Sequence, residues 1–84
     1  VDGGIEAQTR QVMKNLLEVL NAAGSSLEKV IFARVYLVNF GDFDKMNSVY
    51  ASYFATDKLP ARTCIGVTGL AVGASVEIDF IAAC

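Results

Sequence analysis

The sequence predicts a mixed α+β domain with its elements in the order helix, strand, helix, strand, strand. Three observations carry that prediction. Apolar residues recur at helical spacing over the first two dozen positions, and an apolar, β-branched run fills 30–38. Two shorter apolar runs, 61–69 and 75–83, then flank a small-residue turn at 70–74.

Each element has its own signal. After Gly3-Gly4, the segment 6–23 reads as a helix. Ile5, Val12, Leu16, Leu20 and Ala23 share a face, while Gln8, Arg10, Gln11, Lys14, Asn15 and Glu18 fall mostly on others. Gly24 stands where a left-handed C′ residue belongs, with Ser25-Ser26 continuing the turn. The run 30–38 is interrupted only by Arg34, and its length and flanking turns favour a buried strand. Arg34 is expected at a sheet edge or a subunit contact.

Asn39-Phe40-Gly41-Asp42 forms a turn in which Asp42 is the N-cap candidate for a second helix over 43–55. Phe43, Met46, Asn47, Tyr50, Tyr53 and Phe54 mark one face of that helix. Pro60 ends helical tendency. The strands 61–69 and 75–83 are expected to pair as an antiparallel hairpin, and the strand–helix–strand succession predicts a right-handed parallel crossover between 30–38 and 61–69. Three strands under two helices leave sheet edges without cover.

Composition narrows the function. The chain has 84 residues, 54% hydrophobic and 19% charged. A chain so short buries only about 60% of its unfolded surface, yet this one is richer in apolar groups than a small domain needs. The surplus predicts burial against other subunits or against a further part of the chain. A net charge of −2 without a basic cluster argues against nucleic acid as a partner. No apolar run approaches the ~18 residues of a membrane span, and no signal-peptide pattern is read. Two cysteines without histidine argue against a zinc site, and Cys64 within a strand with Cys84 last argues against a disulfide framework. A reducing intracellular setting is expected. The first residue is valine rather than methionine, which predicts processing or a fragment.

Pro60-Ala61-Arg62-Thr63-Cys64 carries the chemistry. Nothing else between Lys58 and Glu77 is ionic, so Arg62 needs a carboxylate partner or holds one for a ligand. Alternation puts Arg62 and Cys64 on one strand face and Glu77 and Asp79 on one face of the next. Where those faces coincide, Arg62 would capture a ligand carboxylate and Glu77 would hold a water or orient Arg62. The plain alternative is an Arg62–Glu77 cross-strand ion pair. Cys64 lacks a histidine to activate it and reads as a small cleft-lining residue. Asn47 reads as capping or bridging backbone groups rather than touching substrate, and Tyr50 and Tyr53 as core and interface aromatics with a wet hydroxyl. Arginine anchorage, a carboxylate and a positioned water suffice for hydrolysis of an activated C=N bond.

The Pro60–Cys64 segment, Val76-Glu77-Ile78, and the helix start from Gly41-Asp42-Phe43 to Asn47-Ser48-Val49-Tyr50 resemble the YjgF family, also called the Rid or reactive intermediate deaminase family. The segments 8–24 and 48–54 are similar to that family's helices, so the likeness covers nearly the whole chain. The resemblance implies a single α+β domain of chorismate-mutase-like fold over residues 1–84. Members usually carry further N-terminal strands, so an N-terminal truncation is expected. It also implies a homotrimer with clefts between subunits. The activity implied is hydrolysis of 2-imino acids, tautomers of enamines, to 2-keto acids and ammonia, without a cofactor. By position, Arg62 would bind the substrate carboxylate, Cys64 would line the cleft and Glu77 would position the attacking water.

The resemblance further implies a cytoplasmic or mitochondrial protein whose partners are small 2-imino or 2-keto carboxylic acids. In the turn 70–73, where members commonly carry a proline and a basic residue, this chain has neither. The rival class is a non-catalytic carboxylate-binding or interaction protein of the same fold. Ribonuclease behaviour finds little support in an acidic chain without histidine.

Overall fold

The first helix, α1 (Ile5–Ala22), buries Ile5, Met13 and Leu20 and half-buries Val12 and Leu16. The computed structural model describes residues 4–83; Gly3 and Cys84, with any pairing Cys84 makes, lie outside the described residues. Two polar residues join the buried stripe. Thr9 donates its hydroxyl to the Ile5 carbonyl one turn back at 2.7 Å. Gln8, expected on a polar face, is buried and accepts from the Ser75 N–H at 2.9 Å. A buried amide needs such a partner, and the segment before the last strand supplies it.

The helix ends as its sequence predicts. Gly24 has φ 76°, its N–H bonds the Asn21 carbonyl, and the Ser25 N–H reaches back to Leu20 at 2.8 Å. These two bonds form a Schellman motif, which satisfies carbonyls the helix would otherwise leave open.

A three-stranded sheet follows: β1 (Val30–Leu37), β2 (Ala61–Gly66) and β3 (Val76–Ala82), in the spatial order β2-β1-β3. Between β1 and β2 lies α2 (Phe43–Ser52). The β1–β2 pair is parallel, as the strand–helix–strand order requires, and β1–β3 is antiparallel. The expected β2–β3 hairpin does not form. Hairpin loops run two to five residues, whereas β2 stops at Gly66 and residues 67–75 cross the end of β1 instead. Val67 donates to the Leu37 carbonyl at 2.8 Å, and Val38 donates to Ser75 at 3.2 Å. The crossing puts β1 in the centre. Arg34, expected at a sheet edge or a subunit contact, therefore sits on the central strand rather than at an edge.

Register sorts the residues into two faces. Toward the helices lie Ala33, Val35 and Leu37 of β1, flanked by Arg62, Cys64 and Gly66 on one side and by Phe80, Ile78 and Val76 on the other. Of these, Ala33, Val35, Leu37, Ile78 and Val76 pack with Met13, Met46 and Tyr50 to make the core, with Cys64 and Phe80 partly buried against it. The opposite face carries Phe32, Arg34 and Tyr36 between Ala61, Thr63, Ile65 and Ile81, Asp79, Glu77. There Arg34 Nε bonds Asp79 Oδ1 at 2.8 Å, and no element among the described residues covers this face. A bulge between Val30 and Phe32 sets two β1 residues against one of β3, returning Val30 to the buried side.

The entry to α2 differs from expectation. Asp42 stands at the N-cap but makes no capping bond. The chain enters through a 3₁₀ turn at Phe40–Asp42, and the Asn39 side chain accepts from the Gly41 N–H at 3.0 Å. No helix among the described residues is long and apolar enough to cross a membrane.

The turn Ala71–Gly73 stores strain. Val72 has φ 52° and ψ 29° and is 86% exposed, so nothing packs against it to hold this conformation. The left-handed region costs a side chain roughly 1–2 kcal/mol, and β-branching makes it worse. Asn tolerates that region. Val72→Asn is expected to raise the urea midpoint by the equivalent of about 1 kcal/mol at unchanged slope; a lowered midpoint would show the turn to be unstrained.

Candidate functional site

Arg62 is the second residue of β2, an outer strand of the described sheet, opposite Ala33. Pro60 releases the chain into this strand, and alternation turns Arg62 toward the helices. Its half-buried side chain runs beside α2. There Nη1 donates to Asn47 Oδ1. The guanidinium carbon lies 5.4 Å from the Phe43 ring centre and 5.0 Å from that of Tyr50, within cation–π range. Phe43, Asn47 and Tyr50 follow one another at four and three residues, so one face of α2 presents all three.

The guanidinium is thus fixed but not neutralised. It has five N–H donors, and Asn47 accepts from only one of its nitrogens. Among the described residues no carboxylate lies within ion-pair distance of it; Asp79 pairs with Arg34 on the other face. A desolvated cation without a counter-charge favours an anion, and its planar fork matches a carboxylate.

Cys64 is two residues further along β2, beside Val35, and packs half-buried against the core. Burial pushes its thiol above the ordinary value, opposed by the charge of Arg62. A thiol held protonated is a poor nucleophile. Burial likewise raises the Tyr50 hydroxyl, again opposed by Arg62. The wet hydroxyl expected from the sequence is instead buried, without a hydrogen-bond partner among the described residues, because the ring lies in the core. No group of three or more His, Cys, Asp or Glu side chains able to hold a metal gathers among the described residues.

Glu77 is not brought to Arg62. It is exposed on the opposite sheet face beside Tyr36, with β1 between the two outer strands. Two strand spacings separate them by about 10 Å across the sheet, and three residues of register add about 10 Å along it. The cross-strand ion pair within one chain does not exist. Two clefts of about 370 and 410 Å³ lie elsewhere, the first bordered by Leu27, Phe54 and Lys58, the second by Arg10, Lys14 and Leu17, with Tyr53 shared.

Asn47 bonds the Arg62 side chain rather than backbone groups. Its place between Phe43 and Tyr50 on one helical stripe was the signal in the sequence: a lone amide among aromatics faces something polar.

Comparison with known proteins agrees with this architecture. The family model described as endoribonuclease L-PSP matches residues 1–84. Protein HMF1 of Saccharomyces cerevisiae is 42% identical over 83 residues, covering 99% of this chain and 64% of its own length. A RutC family protein of Pyrococcus horikoshii is 49% identical over 82 residues, covering 98% and 64%. The crystal structure of YyfA from Yersinia pestis, described as a conserved Rid family protein of unknown function, superposes with a TM-score of 0.93 at 40% identity. It covers 98% of this chain and 65% of that one. The chain belongs to the endoribonuclease L-PSP family, also known as YjgF or Rid, and has its α+β fold. It spans just under two thirds of the length of the curated relatives it matches, 64% for both HMF1 and the Pyrococcus protein.

Proposed function

We propose that this protein hydrolyses reactive 2-imino acids to 2-keto acids and ammonia, in clefts between the subunits of a homotrimer. The observation that carries the reading is Arg62: a half-buried guanidinium, held by a neutral amide and two aromatic faces, without a carboxylate partner among the described residues. The substrate carboxylate meets that charge by two parallel hydrogen bonds, which fixes the imine carbon for attack. Cys64 lines the same side as a neutral thiol. Glu77 positions the water and takes its proton as oxygen bonds to the imine carbon. Proton transfer to nitrogen then lets ammonia leave as the C=O bond forms. Because Arg62 and Glu77 stand on opposite faces of one sheet, the Glu77 that serves an Arg62 comes from a neighbouring subunit.

The uncovered sheet face and the bare edges support reading residues 1–84 as one domain that needs neighbours to complete it. The cytoplasm is its expected compartment, with the mitochondrion as the alternative. A second reading, carboxylate binding without turnover, is favoured by one observation: among the described residues of one chain no carboxylate pairs with Arg62 to handle a water.

The test is 2-keto acid release from freshly generated 2-iminobutanoate or 2-iminopropionate. The folded protein is expected to accelerate release over the spontaneous rate, and Arg62→Ala to lose on the order of a hundredfold. Keto acid binding without acceleration would establish the second reading. Neither binding nor acceleration by folded protein would overturn both.

A further inference from the structure

The residue that holds Arg62 is an amide, and that choice has chemical content. A guanidinium only donates, so the atom facing it must be an acceptor, and Asn47 supplies the carbonyl oxygen Oδ1. Aspartate would supply an acceptor of the same shape with a full negative charge. In most half-buried settings that charge would strengthen the contact, because a carboxylate meets the guanidinium charge to charge and can accept two parallel N–H bonds. Here it would complete an internal ion pair and use up the charge that an external anion needs. The aromatic neighbours Phe43 and Tyr50 give the same kind of support: they hold the cation by their ring faces and carry no formal charge.

We infer that Asn47 is a charge-neutral positioning residue, which fixes the Arg62 guanidinium while leaving its positive charge free for a carboxylate ligand. This rests on Arg62 being the carboxylate anchor proposed above. A tie that merely joins α2 to β2 would show the opposite preference. For such a tie, an aspartate in place of Asn47 would serve as well or better, and an apolar isostere would be worst.

The order of two variants separates these roles. Asn47→Asp keeps the acceptor and adds the charge; Asn47→Leu keeps the approximate volume and removes the acceptor. Binding of 2-ketobutanoate, an unreactive 2-keto acid, is measured by calorimetry on the intact protein, with the thermal midpoint of each variant and Arg62→Ala alongside. Asn47→Leu is expected to weaken binding about tenfold, through a loosened guanidinium. Asn47→Asp is expected to weaken it on the order of a hundredfold, at an unchanged or raised midpoint. Affinity and stability then rank the variants in opposite orders.

Wild-type affinity in Asn47→Asp, beside weakened binding in Asn47→Leu and lost binding in Arg62→Ala, would overturn the inference and leave the function intact. Unchanged binding in Arg62→Ala, or none in the wild type, would instead remove the functional reading, and this one with it.

Discussion

Two inactive variants are expected to restore one another. On the function proposed above, Arg62→Ala would lack the carboxylate anchor and Glu77→Gln the group that handles the water, so each variant alone should turn over imine far more slowly than wild type. In one subunit Arg62 faces the helices while Glu77 lies on the opposite sheet face, beyond the central strand. A cleft that uses both must take them from different chains. Co-expressed at equal levels, the variants of the proposed homotrimer should form mixed trimers. Each cleft has even odds of an intact Arg62 on one side and even odds of an intact Glu77 on the other, so about one quarter of the clefts are complete. Recovery of about a quarter of wild-type turnover is therefore expected, read as 2-keto acid release from the purified mixture. Turnover no greater than the sum of the two variants would show that no cleft joins these residues across a subunit boundary.

Tyr50 should show the largest effect on stability. It is 2% exposed, tilts against Phe54 at 5.1 Å between ring centres, and lies beneath the Arg62 guanidinium. Tyr50→Ala removes the ring from both the core and the arginine, at an expected cost of about 3–5 kcal/mol. For a domain of this size that is a large share of the total. Tyr50→Phe should behave quite differently. The hydroxyl is buried without a partner among the described residues, so removing it leaves the packing and ends a desolvation penalty; a gain of up to about 1 kcal/mol is expected.

The two substitutions also separate in alkali. Burial raises the Tyr50 hydroxyl above its ordinary value, with Arg62 opposing, and does the same to the Cys64 thiol. A group whose value is raised by folding contributes stability that is full below its unfolded value and is lost as pH climbs through the folded one. Urea midpoints should therefore fall above about pH 9 to 10, and Tyr50→Phe should blunt the tyrosine part of that fall. A steeper fall in the phenylalanine variant would show that folding favours the ionised phenolate instead of the hydroxyl.

Local patterns in the sequence read well, and relations between elements did not. The helical stripes and the Gly24 stop follow from periods and punctuation within a few residues of one another, and the parallel β1–β2 pairing follows from the strand–helix–strand order. Alternation also sorted Arg62 with Cys64 and Glu77 with Asp79. What it lacks is the phase of one strand relative to another. That phase is set by β1 standing between them, and an equally plausible hairpin would have paired β2 with β3 directly. The same limit explains Gln8, whose polar side chain is buried because residue 75 comes back to it from the far end of the chain. Arg62 was singled out by its isolation among apolar neighbours. Its true companions were readable too, since Asn47 interrupts an aromatic stripe with no local reason to do so.

The central position of β1 has a consequence for how the chain is made. Its two flanking strands are synthesised after it, and β3 comes last among these elements. Arg34 and Asp79, neighbours across that junction, are 45 positions apart. Until residues 76–82 have left the ribosome, β1 presents one full row of unpaired N–H and C=O groups. Such distant pairing is slow to close because the loop entropy is met before the contacts form, and an open strand edge is the kind of template that recruits other chains. The nascent protein is thus open to aggregation after α1 and α2 have been made and before β3 arrives.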